Sequence, residues 1–121
     1  METKEWLNQG RYLTKEIRAL KDALEKADKM SDCCLDSFFS NYKETLEDKI
    51  RLLSKTNEHI ISTIYKVEDN ILRTLLIERF INNKTWEMVS HRLGYDFYHV
   101  IKRLYPKAVA EVDKIMNLKA S

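Results

Sequence analysis

Apolar positions along this chain change their spacing, and each change marks an expected element. From about Thr3 to Lys29 one face carries Trp6, Leu13, Ile17, Leu20, Leu24 and Ala27. After Trp6 the steps are 7, 4, 3, 4 and 3, and Gly10 occupies the position that the first step skips. From about Tyr42 to Tyr65, and on to Val67, the stripe is Leu46, Ile50, Leu53, Asn57, Ile60, Ile64 and Val67, with alternating steps of 4 and 3. Alternating steps of this kind make the narrow seam of a coiled coil rather than the broad face of a globular helix. Each helix would be roughly 40 Å long at its rise per residue. Asn57 falls on the seam, where a polar side chain costs stability but fixes register by seeking a partner. Two such helices form either an antiparallel hairpin within one chain or part of an intermolecular bundle. Because each has a single narrow stripe, a homodimer through the N-terminal helices is an expected assembly. Between them, Met30 to Asn41 breaks the charge pattern and reads as a connector. Its Phe38 and Phe39 either cap the hairpin or form an exposed contact patch.

The pattern widens after Val67. Glu68 and Asp69 suit the positive end of a new helix. Ile71, Leu72, Leu75, Leu76 and Phe80, with Ile77 and Ile81, then make a stripe of globular-core width, which Asn82 and Asn83 end. The next stretch, Lys84 to Tyr105, reads as two short helices about a tight turn. Thr85 is an N-cap candidate. Trp86, Val89 and Leu93 follow at helical spacing, and Gly94 is suited to the left-handed residue that ends a helix. Asp96 is a second N-cap candidate, before Phe97, Val100, Ile101 and Leu104. Val100 and Leu104 should face the core, joined by Phe97. This is the helix-turn-helix pattern, whose second helix enters the major groove of DNA; an ordinary helical hairpin has the same local signals. Pro106 either kinks the chain or opens a last helix, whose face is Ala108, Val109, Val112, Ile115 and Met116. The expected fold is therefore all-α. A long, coiled-coil-like N-terminal helical hairpin (1–67) precedes a domain (68–121) made of a three-helix helix-turn-helix unit and a C-terminal helix.

Composition supports that class: 121 residues include only two glycines and one proline, with a third of the residues charged. The net charge of +2 is too small to identify a nucleic-acid binder, but its distribution says more. Between Arg79 and Lys107, six basic residues (Arg79, Lys84, Arg92, Lys102, Arg103, Lys107) face only Glu87 and Asp96, a local excess of four. No apolar run is long enough to span a bilayer, and METKEW lacks the apolar core of a signal peptide, so no membrane association and a cytoplasmic setting are expected. Cys33 and Cys34 are adjacent, a poor geometry for a mutual disulfide, and no third ligand for zinc stands nearby; they read as reduced thiols or, alternatively, a redox switch. There is no glycine-rich phosphate loop, no metal spacing among His59, His91 and His99, and no nucleophile motif. No catalysis, cofactor or metal is expected.

The run ILRTLLIERFINNKTWEMVSHRLGYDFYHVIKRLYPKAV resembles the helix-turn-helix of the fourth conserved region of bacterial sigma factors. It is more similar to the sigma-like phage regulators of the RinA and ArpU kind. The resemblance is carried by Leu72, Leu75, Arg79, Phe80, Ile81, Lys84 to Glu87, Val89, Leu93, Gly94, Tyr95, His99, Val100, Leu104 and Ala108. It implies a phage or prophage protein that regulates transcription by binding double-stranded DNA. After the glycine-tyrosine pair that family usually places Ser or Thr and then basic residues, whereas this chain has Asp96, Phe97 and Tyr98. Phenylalanine cannot meet a phosphate or a guanine edge; Tyr98 can hydrogen-bond a phosphate or touch a thymine methyl. The expected DNA-binding residues are Lys84, Thr85, Arg92, Tyr98, His99, Lys102 and Arg103. The alternative is a protein-interaction module of sigma-like fold that contacts host RNA polymerase or another host protein through Phe97, Tyr98 and Tyr105.

Overall fold

The computed structural model describes residues 2–31 and 37–120, and among these there is helix and no strand. Helix α1 spans Thr3–Ser31 and α2 spans Ser37–Tyr65. Helix α3 covers Asn70–Leu76 and continues into a wide π-helical turn over Ile77–Ile81. Helix α4 is Trp86–Leu93 and α5 is Phe97–His99. A second π-helical turn over Val100–Leu104 joins α5 to α6, Tyr105–Ala120. The all-α expectation, with its long N-terminal helix pair and C-terminal helix, is met. Helix α2 begins ahead of the Tyr42 expected for it. Cys33 and Cys34 lie outside the described residues, as do the side chains of Phe38 and Phe39.

The contacts divide the chain into two units, residues 12–58 and residues 1–11 with 59–121. The first turns of α1 and the last of α2 group with the C-terminal elements, and their Leu7, Ile60 and Ile64 are buried. Within 12–58 the two helices run antiparallel. Asn57 Nδ2 donates to Thr14 Oγ1 at 3.4 Å, Lys49 pairs with Glu16 at 3.6 Å, and Lys43 pairs with Asp28 at 2.6 Å. The seam asparagine thus finds its polar partner on the facing helix. Ile17, Ala27 and Leu46 are buried, whereas Leu13, Leu20, Leu24, Ile50 and Leu53 are only partly covered.

The second unit has the denser core: Leu7, Ile60, Ile64, Val67, Leu75, Leu76, Phe80, Val89, Val100, Ala108 and Val112 are nearly or wholly buried. Leu7, not Trp6, is the apolar residue of the first turns that goes inside. Trp6 is half-buried, with its ring edge-on to His59 at 5.6 Å. Ile71, expected in the α3 stripe, is exposed, because the inward direction of that helix is set by Leu72, Leu75 and Leu76. Each large aliphatic side chain taken fully from water contributes roughly 1.5–3 kcal/mol before the entropy of ordering is counted. Helix α6 packs on α3, which settles the destination of its apolar face.

Local chemistry sets the helix boundaries. The Asp69 carboxylate accepts from the Ile71 and Leu72 N–H groups and caps α3. Asn83 takes a left-handed φ of 57° after the π turn, in which the Asn82 N–H donates to the Ile77 carbonyl at 2.9 Å. Proline at 106 stands in the first turn of α6, the second of the two expected alternatives. It has no N–H to donate and crowds the carbonyl four residues back. The wide turn before it, in which the Tyr105 N–H reaches the Val100 carbonyl, carries the helix past that position.

Candidate functional site

The site is built on two caps and one glycine. Thr85, in extended conformation, accepts the Met88 N–H at 3.2 Å and starts α4. Gly94 ends it at φ 78°, with its N–H and that of Tyr95 both donating to the Ser90 carbonyl. Asp96 then accepts the His99 N–H at 2.9 Å and starts α5. These three residues turn the chain sharply and aim the helix that follows. Val100 and Leu104 face inward, as expected. Phe97 does not join them: it is 43% exposed, while Val100 and Leu104 take the buried positions of this helix.

Of the seven expected DNA-binding residues, four come together. Tyr98, His99, Lys102 and Arg103, with Asp96, line one shallow depression of about 600 Å³. Lys102 and Arg103 are exposed, and neither α6 nor any other described segment covers them. The Lys102 ammonium sits 5.8 Å from the centre of the Tyr98 ring, and Tyr95 stacks on His99 at 5.0 Å. Lys84 and Arg92 line a different depression of about 350 Å³ with Glu78, Glu87, Met88 and His91. Thr85 lines neither, and its hydroxyl is engaged in the cap.

Arg79, counted in the basic excess, points into the protein. Its guanidinium lies 4.5 Å from the centre of the Trp86 ring, and one terminal nitrogen donates to the Lys84 carbonyl at 2.9 Å. Its Nε is buried without a hydrogen-bond partner. Burial lowers its pKa from the usual arginine value, with the charge of Arg11 acting in the same direction. Tyr105 completes this cluster, its ring 4.7 Å from Trp86 and 6.1 Å from Phe80. Burial raises the Tyr105 phenol above its ordinary value, while Arg79 pulls it the other way. Tyr105 is therefore a packing residue that supports the turn, not part of an exposed aromatic surface. The exposed aromatics of α5 and the turn before it are Tyr98 at 70%, Phe97 and Tyr95. Tyr95 was not among the expected site residues; its place four positions before His99 is the signal that the two meet.

Among the described residues no group of three or more His, Cys, Asp or Glu side chains could hold a metal ion, and no helix is long and apolar enough to cross a membrane. No protein-family model matches the chain, and neither a curated protein nor a solved structure shows significant similarity to it.

Proposed function

We propose that this chain is a phage or prophage transcriptional regulator that works in the cytoplasm and binds double-stranded DNA through the helix that starts at Phe97. The observation that carries this reading is the outward face of that helix. Lys102 and Arg103 stand exposed beside His99 and Tyr98, on the side opposite the buried Val100 and Leu104. A cationic face on the second helix of a helix-turn-helix is where phosphates and base edges meet such a protein. Lys84 and Arg92, from the end of the preceding loop and from α4, supply flanking positive charge for the backbone. The resemblance of residues 71–109 to sigma-like phage regulators points the same way. Replacing Lys102 and Arg103 with alanine should weaken binding to duplex DNA with no loss of helicity; unchanged affinity in a gel shift would remove these residues from the site.

A second reading rests on the exposure of Phe97, Tyr98 and Tyr95. Aromatic residues at this density suit a protein partner, such as host RNA polymerase. Recovery of polymerase with the purified protein after nuclease treatment favours that module; recovery only with intact DNA favours the DNA reader. The partly covered seam of the 12–58 hairpin is the surface through which a homodimer would form, and sedimentation measures that directly.

A further inference from the structure

We propose that Tyr98 reads the 5-methyl group of a pyrimidine in the major groove, which in ordinary DNA is thymine. This rests on the DNA-binding reading above and names what that surface selects.

The first turn of α5 presents Phe97, Tyr98 and His99. It offers no arginine or lysine for the guanine O6 and N7 pair, and no asparagine or glutamine for the adenine N6 and N7 pair. Its one carboxylate, Asp96, spends an oxygen on the helix cap. Readout from this turn falls to the rings of Tyr98 and His99, and His99 is half-buried against Tyr95, which leaves Tyr98 as the open ring. The only apolar group on the major-groove edge of any base pair is the pyrimidine 5-methyl.

Tyr98 is placed for that contact. Tyr98 and Lys102 line the same depression, while Val100 and Leu104 are buried. Tyr98 is 70% exposed, the most open aromatic of this unit, whereas Phe97 is 43% exposed. The Lys102 ammonium lies 5.8 Å from the Tyr98 ring centre, so the residue with the ring also brings a cation to the same place. A cation beside the ring can hold a phosphate while the ring lies against the base edges. An apolar ring left in water by the free protein gains most by covering another apolar group.

The test uses two pairs of alternating duplexes that differ only in pyrimidine methylation. One pair is adenine–thymine against adenine–uracil. The other is guanine–5-methylcytosine against guanine–cytosine, which controls for the sequence-dependent shape of the first. The methylated member should bind about fourfold tighter per methyl covered, the factor expected from burying one such carbon. Tyr98→Phe should keep the preference and Tyr98→Ala should abolish it. Both variants should fold, because the side chain is outside the core. Equal affinities within each pair, or a preference that survives Tyr98→Ala, overturn the inference and leave DNA binding standing. A loss in Tyr98→Phe equal to that in Tyr98→Ala, on methylated and unmethylated duplexes alike, assigns the hydroxyl to phosphate and also overturns it. Failure to bind any of the duplexes at low salt removes the DNA reading itself, and this inference with it.

Discussion

Asp96 carries two properties that chemistry can separate: a hydrogen-bond acceptor that caps α5, and a negative charge on a face proposed to meet phosphate. Its carboxylate accepts the His99 N–H at 2.9 Å, and the residue is exposed. Asparagine caps helices about as well as aspartate, so Asp96→Asn should leave stability within a few tenths of a kcal/mol, while Asp96→Ala should cost about 1 kcal/mol. Both variants remove the charge. A carboxylate roughly 7 Å from one phosphate is repelled by about 0.6 kcal/mol in water at low ionic strength, about threefold in affinity. Screening at physiological salt cuts this to under about twofold. Urea unfolding midpoints at constant slope measure the stability change, and fluorescence anisotropy with a labelled duplex at low and physiological salt measures the affinity change. The expected pattern is tighter binding in both variants, with lost stability in alanine alone. Weaker binding by Asp96→Asn would refute the reasoning, because the carboxylate would then be accepting from a base instead of repelling the backbone.

Gly94 sits at φ 78°, and an added Cβ would meet nothing within 4 Å. Gly94→Ala should therefore cost only the left-handed backbone, about 1 kcal/mol by urea titration, and Gly94→Asn less. Leu7 is fully buried, so Leu7→Ala should lose about 2–5 kcal/mol, while Leu52→Ala, at an exposed position, should be near neutral by the same titration. Burial raises the Tyr105 phenol above its ordinary value of 10.0, so the folded protein holds that proton more tightly than the unfolded chain does. The Tyr105 contribution is then whole below about pH 10 and is lost as pH rises through the folded value. Unfolding followed across this alkaline range should show a shallower decline for Tyr105→Phe than for the wild type.

Local signals were the legible part of this fold. The caps at Thr85 and Asp96 and the left-handed Gly94 follow from the chemistry of one residue and its next three neighbours, so a sequence displays them directly. The seam of the hairpin was legible for the same reason, down to Asn57, although its partner Thr14 was not, because pairing across an antiparallel hairpin depends on the connector. Leu7 was missed because the heptad drawn through Trp6 continues into α1, whereas the first turns of that helix answer to a different core. The two π turns were invisible: each inserts one residue into the helical period and looks, in sequence, like a slightly wide stripe. That shift helps to explain why Phe97 was assigned to the core and lies outside it. Arg79 shows the limit of counting charge. It belongs to the basic excess of residues 79–107, yet its guanidinium is stacked on Trp86 and bonded to a backbone carbonyl. Among the expected contact residues, Tyr98, His99, Lys102 and Arg103 converge because they share one helix, while Lys84 and Arg92 face a second depression that only the tertiary arrangement reveals.

The salt dependence of DNA binding by wild type and by the Lys102→Ala, Arg103→Ala double variant tests the central claim most directly. Each phosphate neutralised releases counterions and contributes about 0.9 to the slope of log affinity against log salt. The double variant should bind more weakly and lose about 1.8 from that slope if both side chains meet phosphate. The same slope and the same affinity in the two proteins would contradict the account.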